Sequence, residues 1–597
     1  MRALRFLNKY FFKYKWYLLL GAVFIVLTNI AKVKGPVVIK DAMDELDLKF
    51  GEEVDLLSPE FAQDIFSIAL IAGLAYIAVY LIQGVFLFMT RMSIIVMSRH
   101  IEFDLKNEIY RHYQRLDMGF YKANRTGDLM NRISEDVSKV RMYLGPAVMY
   151  SINLLVLFIV GLTQMLAISP KLTLYSLIPL PIMSVMIYFV SSIMNKKAER
   201  VQKQQSRLST MVQETFSGIR VLKAYSREDY SNTNFNSASE EYRKRSLSQV
   251  KVNALFFPII MLLIGLSTIL VIYIGGKMHI ADPSDETGFT PGDIAAFIIY
   301  INMLTWPFAS VGWVTSLAQQ AAASQERINE FLKQKPTITN PSNVPMEIAG
   351  KIEFRDVSFT YADSGIKALD NISFTIEPGE TLAIIGRTGS GKSTITHLAT
   401  RQYDVTAGQV LIDDQPIDTV NLDAVRNQIG YVPQDVFLFS DTITNNIAFG
   451  IERDGNEKER VEQAAKDAVI YDNIAQFPKA FDTVLGERGV TLSGGQKQRI
   501  SIARALVRNP RILIFDDCLS AVDTETEERI LQNLRRLMQG KSTILISHRV
   551  STVKGANHIL VMDEGKVVES GTHDELQKLD GVYAELYHKQ LLEDESI

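Results

Sequence analysis

The chain has 597 residues, of which 47% are hydrophobic, and a formal net charge of −4. This length suggests more than one domain, and the near-neutral charge gives no support for a nucleic-acid partner. The single cysteine, Cys518, excludes a disulfide framework within the chain and fits a reducing compartment.

The hydrophobic residues are concentrated in the first half of the chain, in six runs. A membrane-spanning helix needs about 20 predominantly apolar residues, and most of the runs are long enough. We therefore predict an all-α transmembrane domain of six helices over residues 1–333, in preference to a large soluble helical core. The runs are Trp16–Ala31, Ile65–Met89, Tyr143–Ile168, Leu172–Ile193, Val252–Ile274 and Ile294–Val314.

Basic residues are unevenly distributed between the connections that join these runs. The N-terminus and the second-to-third and fourth-to-fifth connections are rich in lysine and arginine, whereas the first-to-second connection carries Asp41, Asp44 and Asp47. Cytoplasmic loops carry the excess of lysine and arginine. Both termini are therefore predicted to be cytoplasmic, in a multi-pass protein of the cell inner (cytoplasmic) membrane.

The two long basic connections contain little glycine or proline, so we expect the spanning helices to continue beyond the bilayer. They would carry Gly127-Asp128-Leu129 and Ser217-Gly218-Ile219 far into the cytoplasm. We predict that another domain docks on these two segments, near residues 118–136 and 214–228.

The first run is followed by Lys32, Lys34, Gly35 and Pro36. Charged groups at membrane depth usually face the interior of a helix bundle or mark a pathway. Lysines near the end of a span can also extend to the lipid headgroups. The sequence leaves both roles open for Lys32 and Lys34.

The chain changes character after Lys333. Residues 334–350 are rich in proline and asparagine and are predicted to form a linker. In residues 351–597 short strands alternate with helices, which is typical of a soluble α/β domain.

The stretch LAIIGRTGSGKST predicts a strand over Leu382–Ile385, a glycine-rich turn and the start of a helix. It matches G-x-x-x-x-G-K-S, a loop whose backbone N–H groups face a phosphate at the positive end of a helix. Lys392 would neutralise the β- and γ-phosphate oxygens, and Ser393 would bind Mg²⁺. The residues assigned to this site are Gly386, Arg387, Thr388, Gly389, Ser390, Gly391, Lys392, Ser393 and Thr394.

The stretch RILIFDDCLSAVD contains two consecutive aspartates after a short apolar run. Such a run predicts a buried strand that delivers a carboxylate to a site. Asp516 would hold Mg²⁺ beside Ser393, either directly or through water.

The stretch VTLSGGQKQR, at 490–499, resembles the signature of ATP-binding cassette (ABC) transporters. The other cassette motifs stand in family order, and FYKANRTGDLMNRISEDV and ETFSGIRVLKAYSRE resemble the coupling-helix segments of a type IV exporter half-transporter. The resemblance covers essentially the whole chain. The other motifs are the aromatic Tyr361, Gln434 in YVPQD, GERG at 486–489, SAVD at 520–523 and His548 in ISHR.

The resemblance implies roles for three of these residues at an ATP site. Tyr361 would stack on adenine, and Gln434 would reach Mg²⁺ or the attacking water. His548 would contact the γ-phosphate and polarise water, which places it with Gln434 and Asp517 among the candidate catalytic residues.

The signature itself would form a second anion site. Ser493, Gly494 and Gly495 precede a helix predicted from Gln496 to Val507, and N–H groups at a helix start favour an anion. One chain has no use for a second site. Ser493–Gln496 would therefore cover ATP bound to the cassette of another chain, which makes a second half-transporter a partner.

Asp517 occupies a position that is usually glutamate in this family. Its carboxylate falls short by about one C–C bond length, roughly 1.5 Å, and a misplacement of about 1 Å can cost around 100-fold in rate. The resemblance is to the degenerate-site subunit of a heterodimeric exporter, whose partner supplies the glutamate. A homodimer in which water shifts to meet Asp517 is the alternative, and the intact signature favours the heterodimer.

We therefore expect ATP-driven export of a hydrophobic or amphiphilic drug, lipid or peptide by alternating access within the lipid bilayer. An ATP-gated channel or regulator and an importer of exporter-like fold are the alternatives. A binding-only regulator would not need a complete signature. The nearly uncharged later runs, with residues such as Met183, Phe256 and Trp306, suit amphiphiles, although roles in lipid contact or helix packing account for most of these residues.

Overall fold

The computed structural model describes residues 2–51, 59–281, 289–452, 455–486, 492–518 and 524–595. The chain divides into two compact units. The first contains Met1–Tyr113 and Gly127–Lys333, and the second contains Gln114–Thr126 and Gln334–Ile597. A short segment from the first half of the sequence therefore belongs to the second unit.

The described part of the first half is helical. A 3₁₀ helix covers Arg2–Leu7, and π-helical turns cover Arg132–Asp136 and Tyr143–Ala147. The α-helices are α1 (Asn8–Lys13), α2 (Lys15–Gly51), α3 (Pro59–Arg115), α4 (Met118–Ala123), α5 (Thr126–Asn131), α6 (Val137–Met142), α7 (Val148–Ile168), α8 (Pro170–Leu177), α9 (Pro179–Ser217), α10 (Ile219–Ala224), α11 (Glu228–Ala281) and α12 (Pro291–Lys333).

Within the described residues, five helical stretches are long and apolar enough to cross a membrane, and they contain five of the six predicted runs. The stretches are Lys15–Phe50, Pro59–Arg115, Thr126–Ile168, Glu228–Ile280 and Pro291–Lys333. The run Leu172–Ile193 is helical but is not among them, because it is divided at Ile178 between α8 and α9. Pro179 begins α9 and has no N–H to continue the preceding helix. The count of six spans stays a prediction.

Buried polar contacts connect helices within the first unit. The Tyr300 hydroxyl on α12 donates to the Val33 carbonyl on α2 over 3.0 Å. Near the ends of the same two helices, Lys40 Nζ lies 2.7 Å from the Asp293 carboxylate. Polar groups in an apolar environment need such partners, so these contacts fix how α2 and α12 pack.

The second unit contains two sheets. An antiparallel sheet has the order β2-β1-β4-β5, and a six-stranded sheet has the order β10-β9-β3-β8-β7-β6. The strands are β1 (Ile352–Thr360), β2 (Lys367–Ile376), β3 (Thr381–Gly386), β4 (Ala407–Ile412), β5 (Gln415–Pro416), β6 (Ile429–Val432), β7 (Ile512–Asp516), β8 (Ser542–Ile546), β9 (His558–Asp563) and β10 (Lys566–Gly571).

Helices surround these sheets, and residues 334–351 are without helix or strand. A 3₁₀ turn covers Ala480–Asp482. The α-helices are α13 (Lys392–Ala399), α14 (Leu422–Asn427), α15 (Ile443–Ala448), α16 (Glu457–Asp467), α17 (Tyr471–Ala475), α18 (Gly494–Leu506), α19 (Thr524–Met538), α20 (Val550–Val553), α21 (His573–Lys578) and α22 (Val582–Glu595). The whole chain thus has the predicted order of an all-α region followed by an α/β region.

The central strands of the six-stranded sheet are parallel. Strand β8 pairs in parallel with β3 on one side and with β7 on the other, and β7 pairs in parallel with β6. The carboxyl ends of β3, β8, β7 and β6 therefore meet at one edge. Open α/β sheets bind their ligands at this edge.

Candidate functional site

A cavity of about 520 Å³ lies at the carboxyl edge of the six-stranded sheet. It brings together Lys392 from the loop after β3, Asp517 after β7, His548 after β8 and Gln434 after β6. Residues distant in the sequence converge here because their strands are parallel neighbours. The predicted loop residues that line it are Thr388, Gly389, Gly391, Lys392, Ser393 and Thr394, whereas Gly386, Arg387 and Ser390 do not.

The glycine-rich loop between β3 and α13 has a backbone that other residues would not tolerate. Gly389 and Gly391 have φ angles of 84° and 97°. A Cβ atom on Gly391 would lie 2.3 Å from the Ala368 carbonyl oxygen, so only glycine fits there. The buried Ser390 hydroxyl has no hydrogen-bond partner among the described residues. A curled loop with an unpaired buried hydroxyl fits an anionic ligand such as phosphate.

Lys392 is a buried cation of the cavity. Its Nζ donates to the carbonyl oxygens of Gly386, over 2.9 Å, and of Arg387, over 2.8 Å. Burial lowers the pKa of Lys392, and the charges of Asp517 and Asp516 oppose that shift. The ammonium group is thus held over the loop by weak acceptors, which a phosphate would replace with stronger charge-assisted hydrogen bonds.

Asp516 ends β7 and is only 2% exposed. Its carboxylate accepts hydrogen bonds from the Ser393 hydroxyl, over 2.9 Å, and from the Thr396 hydroxyl, over 3.3 Å. Burial raises the pKa of Asp516, and these two hydrogen bonds lower it. A hydroxyl beside a carboxylate supplies the oxygen ligands that Mg²⁺ prefers, so the residues present fit this ion.

Asp517 follows at a sharp change of chain direction. Its φ is 45°, which is unusual for a residue with a side chain, and its N–H donates to the Ile546 carbonyl over 3.0 Å. The strained backbone turns Asp517 out of the strand into the cavity, where it lies with Lys392 and His548.

His548 follows β8 and is held through its backbone by Gln590 of α22. The Gln590 side chain donates to the His548 carbonyl and accepts from the Val550 N–H, each over 2.7 Å. Burial, and then the charge of Lys392, lower the pKa of His548. The imidazole is therefore neutral at pH 7 and can accept a proton or a hydrogen bond.

Tyr361 lines the other end of the cavity. Its hydroxyl lies 3.1 Å from the Thr394 hydroxyl on α13, which ties the ring to the helix that follows the glycine loop. An aromatic ring at this distance from a phosphate loop offers a face on which a base can stack.

Lys122 also lines the cavity, although no sequence pattern predicted it there. It lies on α4, in the segment Gln114–Thr126 that belongs to the second unit. Its Nζ lies 3.8 Å from the centroid of the Tyr361 ring. No spacing rule links residue 122 to residue 361, because the contact depends on the tertiary fold.

The signature residues do not line this cavity. Ser493 caps α18: its hydroxyl accepts from the Gln496 N–H, and the Gln496 side chain accepts from the Ser493 N–H over 3.0 Å. Ser493 and Gly494 are exposed. The helix begins two residues before the predicted Gln496, because Ser493 is the N-cap and Gln496 is therefore the third residue of the helix.

Some predicted motif residues lie outside the described residues. These are 487–489 of GERG, 490 and 491 of the signature stretch, and 520–523 of SAVD. The side chains of Met183, Phe256 and Trp306 are also outside the described part of the chain.

A helical region with membrane-spanning stretches, followed by an α/β unit with a phosphate loop and a capped signature helix, defines an ABC transporter. The family model described as the ABC transporter transmembrane region matches residues 18–308, and the ABC transporter model matches residues 369–520.

Similar proteins cover nearly the whole chain. The "Multidrug resistance-like ATP-binding protein MdlA" of Escherichia coli (strain K12) is 35% identical over 98% of this chain and 96% of that protein. An "ATP-dependent lipid A-core flippase" of Syntrophus aciditrophicus (strain SB) is 36% identical over 87% and 86%. A solved bacterial Atm1-family ABC exporter with ATP bound aligns with a TM-score of 0.76 and 28% identity, over 96% of this chain and 98% of that one.

The chain belongs to the ABC transporter family and is an exporter of that family. It is a multi-pass protein of the inner membrane that binds ATP and couples ATP hydrolysis to export. An exporter chain with one membrane region and one nucleotide-binding unit functions as a dimer.

Proposed function

We propose that this exporter moves a hydrophobic or amphiphilic molecule, such as a drug or a lipid, and that the chain forms a heterodimer with a second half-transporter. One observation supports the heterodimer: the chain has an intact, exposed signature but an aspartate at position 517. The signature serves a site on another chain, and that site has to be competent for the signature to have a use.

We assign the residues around the cavity to separate tasks in ATP hydrolysis. Lys392 and the loop N–H groups would bind the phosphates, and Ser393, Asp516 and Gln434 would hold Mg²⁺. Bound there with ATP, Mg²⁺ would neutralise charge on the β- and γ-phosphates. Tyr361 positions the base, and neutral His548 accepts a hydrogen bond from the water that attacks the γ-phosphate.

Asp517 is the weak component of this arrangement. A shortfall of roughly 1.5 Å separates its carboxylate from the position that a glutamate would reach. The site of this chain would then hold ATP in the closed dimer for longer than the site of its partner. Closure is favoured because ATP stabilises the closed state over the open one, and hydrolysis at the partner's site reopens it.

The substrate class is supported by relatives whose names refer to multidrug resistance and to a lipid A-core flippase. The membrane region also exposes many large apolar side chains within its candidate spans, such as Leu74, Phe88 and Leu262. The relatives' names fit a substrate that partitions into the lipid bilayer, and the exposed apolar side chains fit helices that face lipid.

Transport by vesicles tests this proposal. Inside-out membrane vesicles that contain the chain, alone or with a second half-transporter, are incubated with a fluorescent amphiphilic dye. We expect ATP-dependent dye accumulation only with the partner present. An ATP-dependent ion current without dye accumulation would favour a channel, and loss of preloaded dye from the vesicles on addition of ATP would favour an importer.

The two lysines of α2 provide a prediction about substrate recognition. Lys32 is half-buried in the first unit, whereas Lys34 is exposed, and residues two positions apart on a helix do not face the same side. We therefore expect Lys32→Ala to change which substrates stimulate ATPase activity, and Lys34→Ala to leave that profile unchanged. An unchanged profile in both variants would assign both lysines to the lipid headgroups.

A further inference from the structure

The ring of Tyr361 is held in a fixed position within the second unit. Its hydroxyl is 3.1 Å from that of Thr394. Phe359 and Tyr403 pack nearly perpendicular to it, with centroid distances of 4.8 and 5.5 Å. Because these contacts hold the ring in place, a ligand has to bind to the ring in this position.

Lys122 covers this ring from the cavity. Its Nζ is 3.8 Å from the ring centroid and 3.5 Å from the Asp363 carboxylate, and Lys122 and Tyr361 both line the cavity. Stacked aromatic groups approach with atoms about 3.5–4.0 Å apart. The ammonium group therefore occupies the layer that a stacked base would need.

The helix that carries Lys122 is itself anchored. Asp117 caps α4 by accepting from the Phe120 N–H over 3.1 Å. The same carboxylate accepts from the N–H and the hydroxyl of Thr337, over 2.9 and 2.7 Å. The backbone that carries Lys122 is thus anchored at the N-terminal end of α4, while the exposed Lys122 side chain is held by the Tyr361 ring and the Asp363 carboxylate.

We propose that Lys122 is a residue of the nucleotide site that competes with the base for the face of Tyr361, and that nucleotide binding displaces it. This inference rests on the proposed stacking of adenine on Tyr361. Displacement breaks the contacts of Lys122 with the ring and with Asp363. It thereby communicates occupancy of the site to Gln114–Thr126, the segment that interrupts the first unit in the sequence.

Competition for the ring and electrostatic attraction predict opposite changes in nucleotide affinity when Lys122 is removed. Removing a cation from a cavity that binds phosphates weakens the binding of every anionic ligand. Removing a competitor for the ring strengthens the binding only of ligands that carry a base. The two effects are separated by comparing ADP with tripolyphosphate, which has phosphates and no base.

The experiment measures the affinity of the full-length purified chain for both ligands by isothermal titration calorimetry. In Lys122→Met, which keeps the length and loses the charge, we expect ADP to bind about three- to tenfold tighter, as the loss of a cation–π contact implies. Tripolyphosphate should bind equally or more weakly. An ADP affinity that is unchanged or lower would overturn the competition.

Matched variants test whether the effect is specific to the contact between Lys122 and Tyr361. Lys367→Met removes a lysine that lines the same cavity but is paired with Asp370, and it should leave the ratio of the two affinities unchanged. Lys122→Arg keeps the charge and should behave as the unchanged protein. In a protein that already carries Tyr361→Leu, adding Lys122→Met should no longer increase the affinity for ADP. If the protein without substitutions bound neither ADP nor tripolyphosphate, the assignment of the nucleotide site itself would be wrong.

Discussion

Replacing Lys392 by alanine is expected to abolish ATP binding to this chain. Lys392 is the buried cation at the end of the glycine loop, and its ammonium donates to the loop carbonyls, beside the N–H groups that would bind the β- and γ-phosphates. Losing its charge-assisted hydrogen bonds should weaken ATP by at least about 100-fold, roughly 2.7 kcal/mol. Calorimetry with ATP in the absence of Mg²⁺ measures this effect without hydrolysis.

The control for this variant is Lys367→Ala, which removes a lysine from the wall of the same cavity. Its partner Asp370 belongs to β2 and not to the loop, so we expect a change of less than about threefold, as for an exposed charge. Equal affinities in Lys392→Ala and in the unchanged protein would contradict the phosphate-loop assignment.

Asp517→Asn is expected to leave substantial ATPase activity when the partner half-transporter is present. If Asp517 is too short to position water, the amide replaces a group that contributes little. If the protein is instead a homodimer that relies on Asp517, the loss should reach several orders of magnitude, roughly 3–5 kcal/mol at about 1.4 kcal/mol per tenfold. Steady-state hydrolysis by the variant, alone and then with the partner, distinguishes the two cases.

The matching substitution is Asp517→Glu, which restores the missing methylene. It should raise hydrolysis at this chain's own site, because the carboxylate then reaches the attacking water. Little activity of the Asn variant in both preparations, together with no gain in the Glu variant, would count against the degenerate-site assignment.

Local sequence rules were sufficient for those parts of the site that are made of consecutive residues. The strand, loop and helix around Gly391 follow from one stretch, and the helix after the signature was predicted to within two residues of its start. Asp516 could also be predicted from the sequence, because a short apolar run before an acid is a strong strand signal.

The remaining features depend on contacts between residues distant in the sequence. The placement of β8 between β3 and β7 brings His548 beside Asp517, and the family resemblance, not spacing, pointed to His548. The separation of α8 from α9 at Ile178 is an exception, because Pro179 is a local signal for it, although the composition of the run is typical of one continuous span. Lys122 lies in a segment that was predicted to contact another domain, but its position in the cavity was missed because its partners Tyr361 and Asp363 are distant in the sequence and meet it only in the folded second unit.

The membership of Gln114–Thr126 in the second unit has a consequence for protein engineering. Exchange of nucleotide-binding units between exporters is most simply done by joining chains after Lys333. Such a chimera would leave Asp117 and Lys122 from one parent facing Thr337 and Tyr361 from the other. A functional graft therefore needs three crossovers, after residues 113, 126 and 333, and selection should keep residues 114–126 and 334–597 together as one inherited module.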